Sequence, residues 1–136
     1  MKSLDVLQRL AKQAVDRERQ ALQAINAEIA AIEGDIDEAQ RAIEREADAS
    51  PDFMTSGTTL AAFIAAQNKR MQDLRDRLRQ LEHAHGLQIE RLQHERSEQK
   101  RYERLAERRA REAALEAEAK EQKAIDELVT MNHKPP

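Results

Sequence analysis

The fold is decided by Val15–Ile43, VDRERQALQAINAEIAAIEGDIDEAQRAI. Val15, Leu22, Ile29, Ile36 and Ile43 recur every seven residues. A second row, Ile25, Ile32 and Ala39, runs between them at the same interval, and Glu18 occupies its first place. Two interleaved apolar rows with a seven-residue period mark the seam of a coiled coil, not the broader face of a globular helix. Upstream, Leu4, Leu7, Ala11 and Val15 are separated by steps of 3, 4 and 4, a single stutter in the repeat. Gly34 lies off the seam, where it costs about 1 kcal/mol relative to Ala, tolerable in a helix of more than forty residues.

Downstream, the pattern stops. Residues 48–58 contain Pro51, which cannot continue a helix and biases Ser50 away from helical angles. Gly57 followed by Thr58 and Thr59 predicts a turn and then an N-cap. A second heptad pattern follows through Leu60, Ile64, Gln67, Met71, Leu74, Leu78, Leu81, His85, Gln88 and Leu92, with Tyr102 beyond. It then turns alanine-rich at Ala106, Ala110, Ala113 and Ala117 and ends near Leu128 and Met131. The spacing predicts one hairpin: helix 1 over about 3–47, a linker over 48–58, helix 2 over about 59–131 and a tail over 132–136. At 1.5 Å per residue the two helices are ~65 and ~105 Å long.

Composition agrees. Of 136 residues, 36% are charged and 2% aromatic, with three Gly, three Pro and no Cys. Alanine accounts for 23 of the apolar residues, which leaves 31 large ones, too few for a thick globular core. A chain dominated by Ala, Glu, Lys, Leu and Arg favours long helices over sheet. Without cysteine, disulfides and thiolate zinc sites are excluded. The opening segment lacks the apolar run of a signal peptide, and no stretch approaches the ~20 apolar residues of a membrane span. The expectation is a soluble cytoplasmic protein of all-α class, an antiparallel two-helix coiled-coil hairpin with helix 2 longer than helix 1.

Folding back at the linker pairs positions whose numbers sum to about 107, setting Ile43 by Ile64, Ile36 by Met71, Ile29 by Leu78 and Val15 by Leu92. The polar seam residues then fall opposite one another, Glu18 and Leu22 against Gln88 and His85. A shared polar layer of Glu18, His85 and Gln88 fixes register at some cost in stability. Residues 104–131 are left without a partner in helix 1. A lone Ala-rich helix is marginal in water, and the pairs Glu107–Arg111 and Glu116–Lys120 are expected to support it.

No catalytic arrangement is present. His83 and His85 lie on different faces of a helix, and His94 is ~16 Å from His83 along it, so no metal site is expected. There is no Ser-His-acid set, no phosphate loop and no enclosed pocket, so neither an enzyme nor a cofactor is expected. Charge says more. Residues 28–52 carry nine acids against Arg41 and Arg45, net −7, and face residues 69–81, five bases against two acids, net +3. Residues 100–111 carry six bases against Glu103 and Glu107, net +4, and residues 112–127 reverse to −4. The basic block is interleaved with Glu and has no aromatic platform, which argues against nucleic acid and for an acidic protein partner.

The chain resembles the flagellar export chaperone FliJ family over essentially its whole length. The opening Met1-Lys2-Ser3-Leu4-Asp5-Val6-Leu7-Gln8-Arg9-Leu10, the two-helix layout with its short linker, and the closing Arg101–Arg108 and Glu121–Leu128 runs carry the likeness. The resemblance implies a non-enzymatic protein of flagellum biogenesis and motility, without a cofactor, cytoplasmic and peripheral to the inner membrane at the flagellar base. It implies docking in the hexameric export ATPase ring, contact with the cytoplasmic domain of the export gate, and contact with other export chaperones, with no nucleic acid and no membrane insertion. For the ATPase it points to Arg101, Arg104, Arg108, Arg109 and Arg111. For the gate it points to the family's Phe, Leu, Ala, His pattern, where Phe63 matches and Gln67, Arg70 and Leu74 depart from it. The alternatives are an injectisome stalk protein of the same type and a homo-oligomeric coiled-coil scaffold.

Overall fold

The computed structural model describes residues 3–49 and 57–133. Ser3 opens the first helix. Its carbonyl accepts from the N–H groups of Val6 at 3.1 Å and Leu7 at 3.2 Å, and its hydroxyl lies 3.4 Å from the Val6 nitrogen, the geometry of an N-cap. Asp5 in the first turn faces the positive end of the helix dipole. Helix α1 then runs Leu4–Ala49 and helix α2 Gly57–Asn132, and no strand occurs among the described residues. The protein is an all-α, two-helix hairpin whose second helix, 76 residues, is longer than the first, 46 residues.

Both helices extend slightly past the expected ends. Because α2 begins at Gly57, Thr58 and Thr59 lie inside its first turn, not ahead of it. Their β-branching costs only tenths of a kcal/mol in a helix, so nothing local stops the helix from starting there. Pro51 and the rest of the expected linker over 50–56 lie outside the described residues.

The chain divides into two compact units, residues 16–94 and residues 1–15 with 95–136. In the first, the half-buried and buried positions of α1 include every residue of the expected rows from Glu18 to Ile43, with Ala21 and Ala42 beside them, and those of α2 include the expected row from Leu60 to Leu92, with Phe63, Ala84 and Ile89 beside it. Ala39, Met71, Leu81, Gln88 and Leu92 are buried. Gln88 reaches Glu18 and Arg77 reaches Glu28, so the helices are antiparallel. These pairs sum to 106 and 105 in residue number, within two of the expected register.

In the second unit Ala11, Ala14 and Val15 are buried. Two neighbours, Ala14 and Val15, both point inward at the stutter, where an extra residue widens the stripe. On α2 the half-buried residues of this unit are Glu95, Glu98, Gln99, Tyr102, Leu105 and Ala106. Every described residue from 107 to 133 is exposed.

A Cβ built on Gly34 or Gly86 meets nothing within 4 Å. Gly34→Ala and Gly86→Ala are each expected to stabilise the hairpin by about 1 kcal/mol, and by about twice that together, read from urea or thermal unfolding followed by circular dichroism.

Candidate partner-binding surfaces

The basic block sits where α2 leaves cover. Arg101 lies 3.5 Å from Glu98, and its guanidinium stands over the Tyr102 ring at 5.8 Å from the centroid, within cation–π range. Arg108 pairs with Glu112 at 3.3 Å. Arg104, Arg109 and Arg111 are exposed and make no ion pair among the described residues. The expected Glu107–Arg111 and Glu116–Lys120 pairs are not formed; Arg108–Glu112 and a Gln122–Asp126 hydrogen bond of 3.0 Å occur in their place. Exposed i,i+4 pairs contribute only a few tenths of a kcal/mol each, so spacing alone does not decide which one closes.

Beyond this block Leu115, Ile125, Leu128, Val129 and Met131 are 46–66% exposed. Leu115, Glu118, Ala119, Glu121, Gln122 and Ile125 line an open groove of about 600 Å³. A smaller groove in the same unit is lined by Gln8, Arg9 and Lys12 of α1 with Gln99 and Glu103 of α2.

The four gate candidates do not share one exposed face. Phe63, Gln67 and Leu74 are half-buried on the seam side, and Arg70 alone is exposed. Gln67 also carries a buried amide oxygen with no donor. The polar layer is more complete. The Gln88 amide donates to the Glu18 carbonyl at 2.9 Å and to its carboxylate at 2.5 Å. His85 is half-buried one turn earlier on the same stripe.

Of the charge fields expected to face each other, Arg77 and Glu28 meet across the helices at 3.3 Å. Other pairs close within one helix, as Arg45–Glu38 at 2.6 Å and Arg79–Asp76 do. The hydrogen bond and the charge of Arg45 hold the Glu38 carboxyl below its ordinary range. The small benefit of that pair is present above the ordinary carboxylate pKa and lost as pH falls through the lowered one.

Among the described residues no group of three or more His, Asp or Glu is placed to hold a metal ion, and no helix is long and apolar enough to cross a membrane. The described residues form an antiparallel two-helix protein with a long uncovered helix end divided into blocks of opposite charge. The family model described as flagellar FliJ protein matches residues 1–135. The chain therefore belongs to the FliJ family, a non-catalytic family of flagellar export proteins. No curated protein and no solved structure matches it.

Gln67→Leu removes an unpaired polar atom from the seam and is expected to stabilise the hairpin by about 1 kcal/mol, measured by urea denaturation. A fall in stability would show that the amide is satisfied in solution.

Proposed function

We propose that this protein is the stalk of the flagellar export ATPase, a cytoplasmic component peripheral to the inner membrane that serves motility and chemotaxis by supporting flagellar export. It docks in the hexameric ATPase ring through the end of α2 that leaves the hairpin, and it links the ring to the cytoplasmic domain of the export gate and to other export chaperones. The observation that carries this reading is the coincidence of two boundaries. Cover from α1 ends at Ala106, inside the +4 block of residues 100–111, so three unpaired arginines lie where the helix becomes free.

Arg101, Arg104, Arg108, Arg109 and Arg111 contact the ATPase in this reading. Their partner surface is acidic, because the exposed guanidinium groups of Arg104, Arg109 and Arg111, which pair with no carboxylate among the described residues, are best satisfied by carboxylates from outside. Reversing Arg104, Arg108 and Arg111 to Glu is expected to reduce ATPase stimulation to the basal rate while leaving helicity by circular dichroism unchanged. Full stimulation by that variant would remove the basic block from the interface.

Phe63, Gln67, Arg70 and Leu74 contact the gate, with Phe63 and Arg70 as the principal groups. Arg70 is solvent-facing, and Phe63 is partly so.

The layer of Glu18, His85 and Gln88 sets the register that holds these surfaces in place. Glu18→Leu keeps the Glu18 backbone carbonyl as acceptor for one N–H of the Gln88 amide and removes the carboxylate that accepts the other. The variant is expected to melt higher by several degrees, since an apolar seam residue replaces a charged one, and to change its oligomeric state in sedimentation. A lower melting point, or no change in either property, would remove the register role.

A further inference from the structure

Charge on the end of α2 is ordered around the helix as well as along it. Arg101, Arg104, Arg108, Arg111 and Leu115 follow one another at steps of three, four, three and four, so they form one row. The half-buried Glu95, Gln99, Tyr102 and Ala106 mark the other side of the same helix, about 180° from that row. Glu103 and Glu107, the acids of this stretch, fall off the row, so nothing on it offsets the four arginines. Arg109 lies about 120° around the helix from the row's centre.

The row is open to solvent. The Arg101 and Arg108 side chains are 71% and 72% exposed, and Arg104 and Arg111 are exposed without an ion pair among the described residues. Glu98 and the Tyr102 ring steady Arg101, and Glu112 steadies Arg108. Beyond Arg111 the row passes through Leu115, 65% exposed, into the open groove lined by Ala119, Gln122 and Ile125. Glu118 and Glu121 also line that groove. A continuous phosphate surface, of a bilayer or of a nucleic acid, would meet the arginines but be repelled by these two carboxylates. A polypeptide can vary its side chains along the row, with carboxylates over the first ~15 Å and an apolar group after them.

We infer that the partner of α2 is an acidic helix laid along this outer row. Its carboxylates, three and four residues apart, meet Arg101, Arg104, Arg108 and Arg111, and a large apolar side chain beyond them meets Leu115 and Ile125. Because the row is opposite the half-buried side, the partner docks without displacing α1. Arg109 meets it only at the rim, where a charge contributes least. This docking face refines the ATPase contact proposed above, and it rests on that reading only for the partner's identity.

The full chain is titrated with two probes, with helicity checked in each sample: the purified export ATPase, and poly-L-glutamate at low salt, which offers carboxylates with no ATPase present. Arg104→Glu with Arg111→Glu is expected to weaken both by about tenfold or more. Lys120→Glu with Lys123→Glu makes the same change of charge off the row and is expected to weaken either by about twofold at most, as is Arg109→Glu. Leu115→Ser is expected to weaken ATPase binding several-fold and to leave poly-L-glutamate binding as in wild type. A wild type that binds poly-L-glutamate through the row but not the ATPase keeps the docking face and removes the ATPase reading. Equal losses on and off the row, tighter binding to phosphatidylglycerol vesicles than to poly-L-glutamate, or a wild type that binds neither probe would each overturn the inference.

Discussion

Two helices can offer each other only one stripe, and that limit governs the rest of the molecule. A core residue in a globular domain is enclosed by several elements, whereas a seam residue here has one neighbouring helix and then solvent. Among the described residues the buried set is Ala11, Ala14, Val15, Ala39, Met71, Leu81, Gln88 and Leu92, and none is less than 2% exposed. Stability in such a structure accumulates by repetition along the axis. Hence α1 needs 46 residues to secure what a compact domain secures in fewer.

A seam this thin admits polar groups at modest cost, because water is always near. It does not treat them alike. Gln88 is almost fully buried, at 4% exposure, and its amide NH2 donates to the backbone carbonyl and to the carboxylate of Glu18. Gln67 occupies an equivalent place and leaves one oxygen unpaired. The first arrangement holds only in one register, since sliding either helix by a turn separates donor from acceptor. The flanking charges act more loosely. Glu28 and Arg77 are each more than half exposed, so their pair contributes at most about 1 kcal/mol. The −7 and +3 fields around them favour the antiparallel arrangement as a sum, without depending on any one bond.

Much of this architecture was legible in the residue order, for a physical reason. A seven-residue apolar period has one geometric solution, so the rows from Val15 to Ile43 and from Leu60 to Leu92 predicted the seam, and the chain reversal predicted a register within two residues. Helix ends were less legible. Ser3 caps α1, yet its hydroxyl is one of many in the chain that face turns or solvent equally well. Gly57 and the two threonines after it can begin a helix or precede one. The exposed ion pairs were least legible, since Glu107–Arg111 and Arg108–Glu112 have the same spacing and nearly the same energy. The candidate surfaces fall between these cases. Their charge was evident from the sequence, but which arginines stay unpaired depends on the rotamers of their neighbours. That Gln67 and Leu74 face the seam while Arg70 faces solvent follows from the phase of the heptad, which the family's four-position pattern does not share; Phe63 flanks the seam beside Ile64.

The change of character after Ala106 follows from the same limit. Alanine has the highest helix propensity and the smallest apolar area of the seam residues, so replacing Ile and Leu with Ala preserves the helix while removing its reason to pair. The segment can remain helical, and α1 has nothing to gain by covering it. What large apolar area it keeps, at Leu115, Ile125, Leu128, Val129 and Met131, is exposed and separated by charge. Such a surface binds through many small contributions, each readily lost and regained. It suits occupants that exchange, and whichever occupant covers it must supply the burial that the helix lacks.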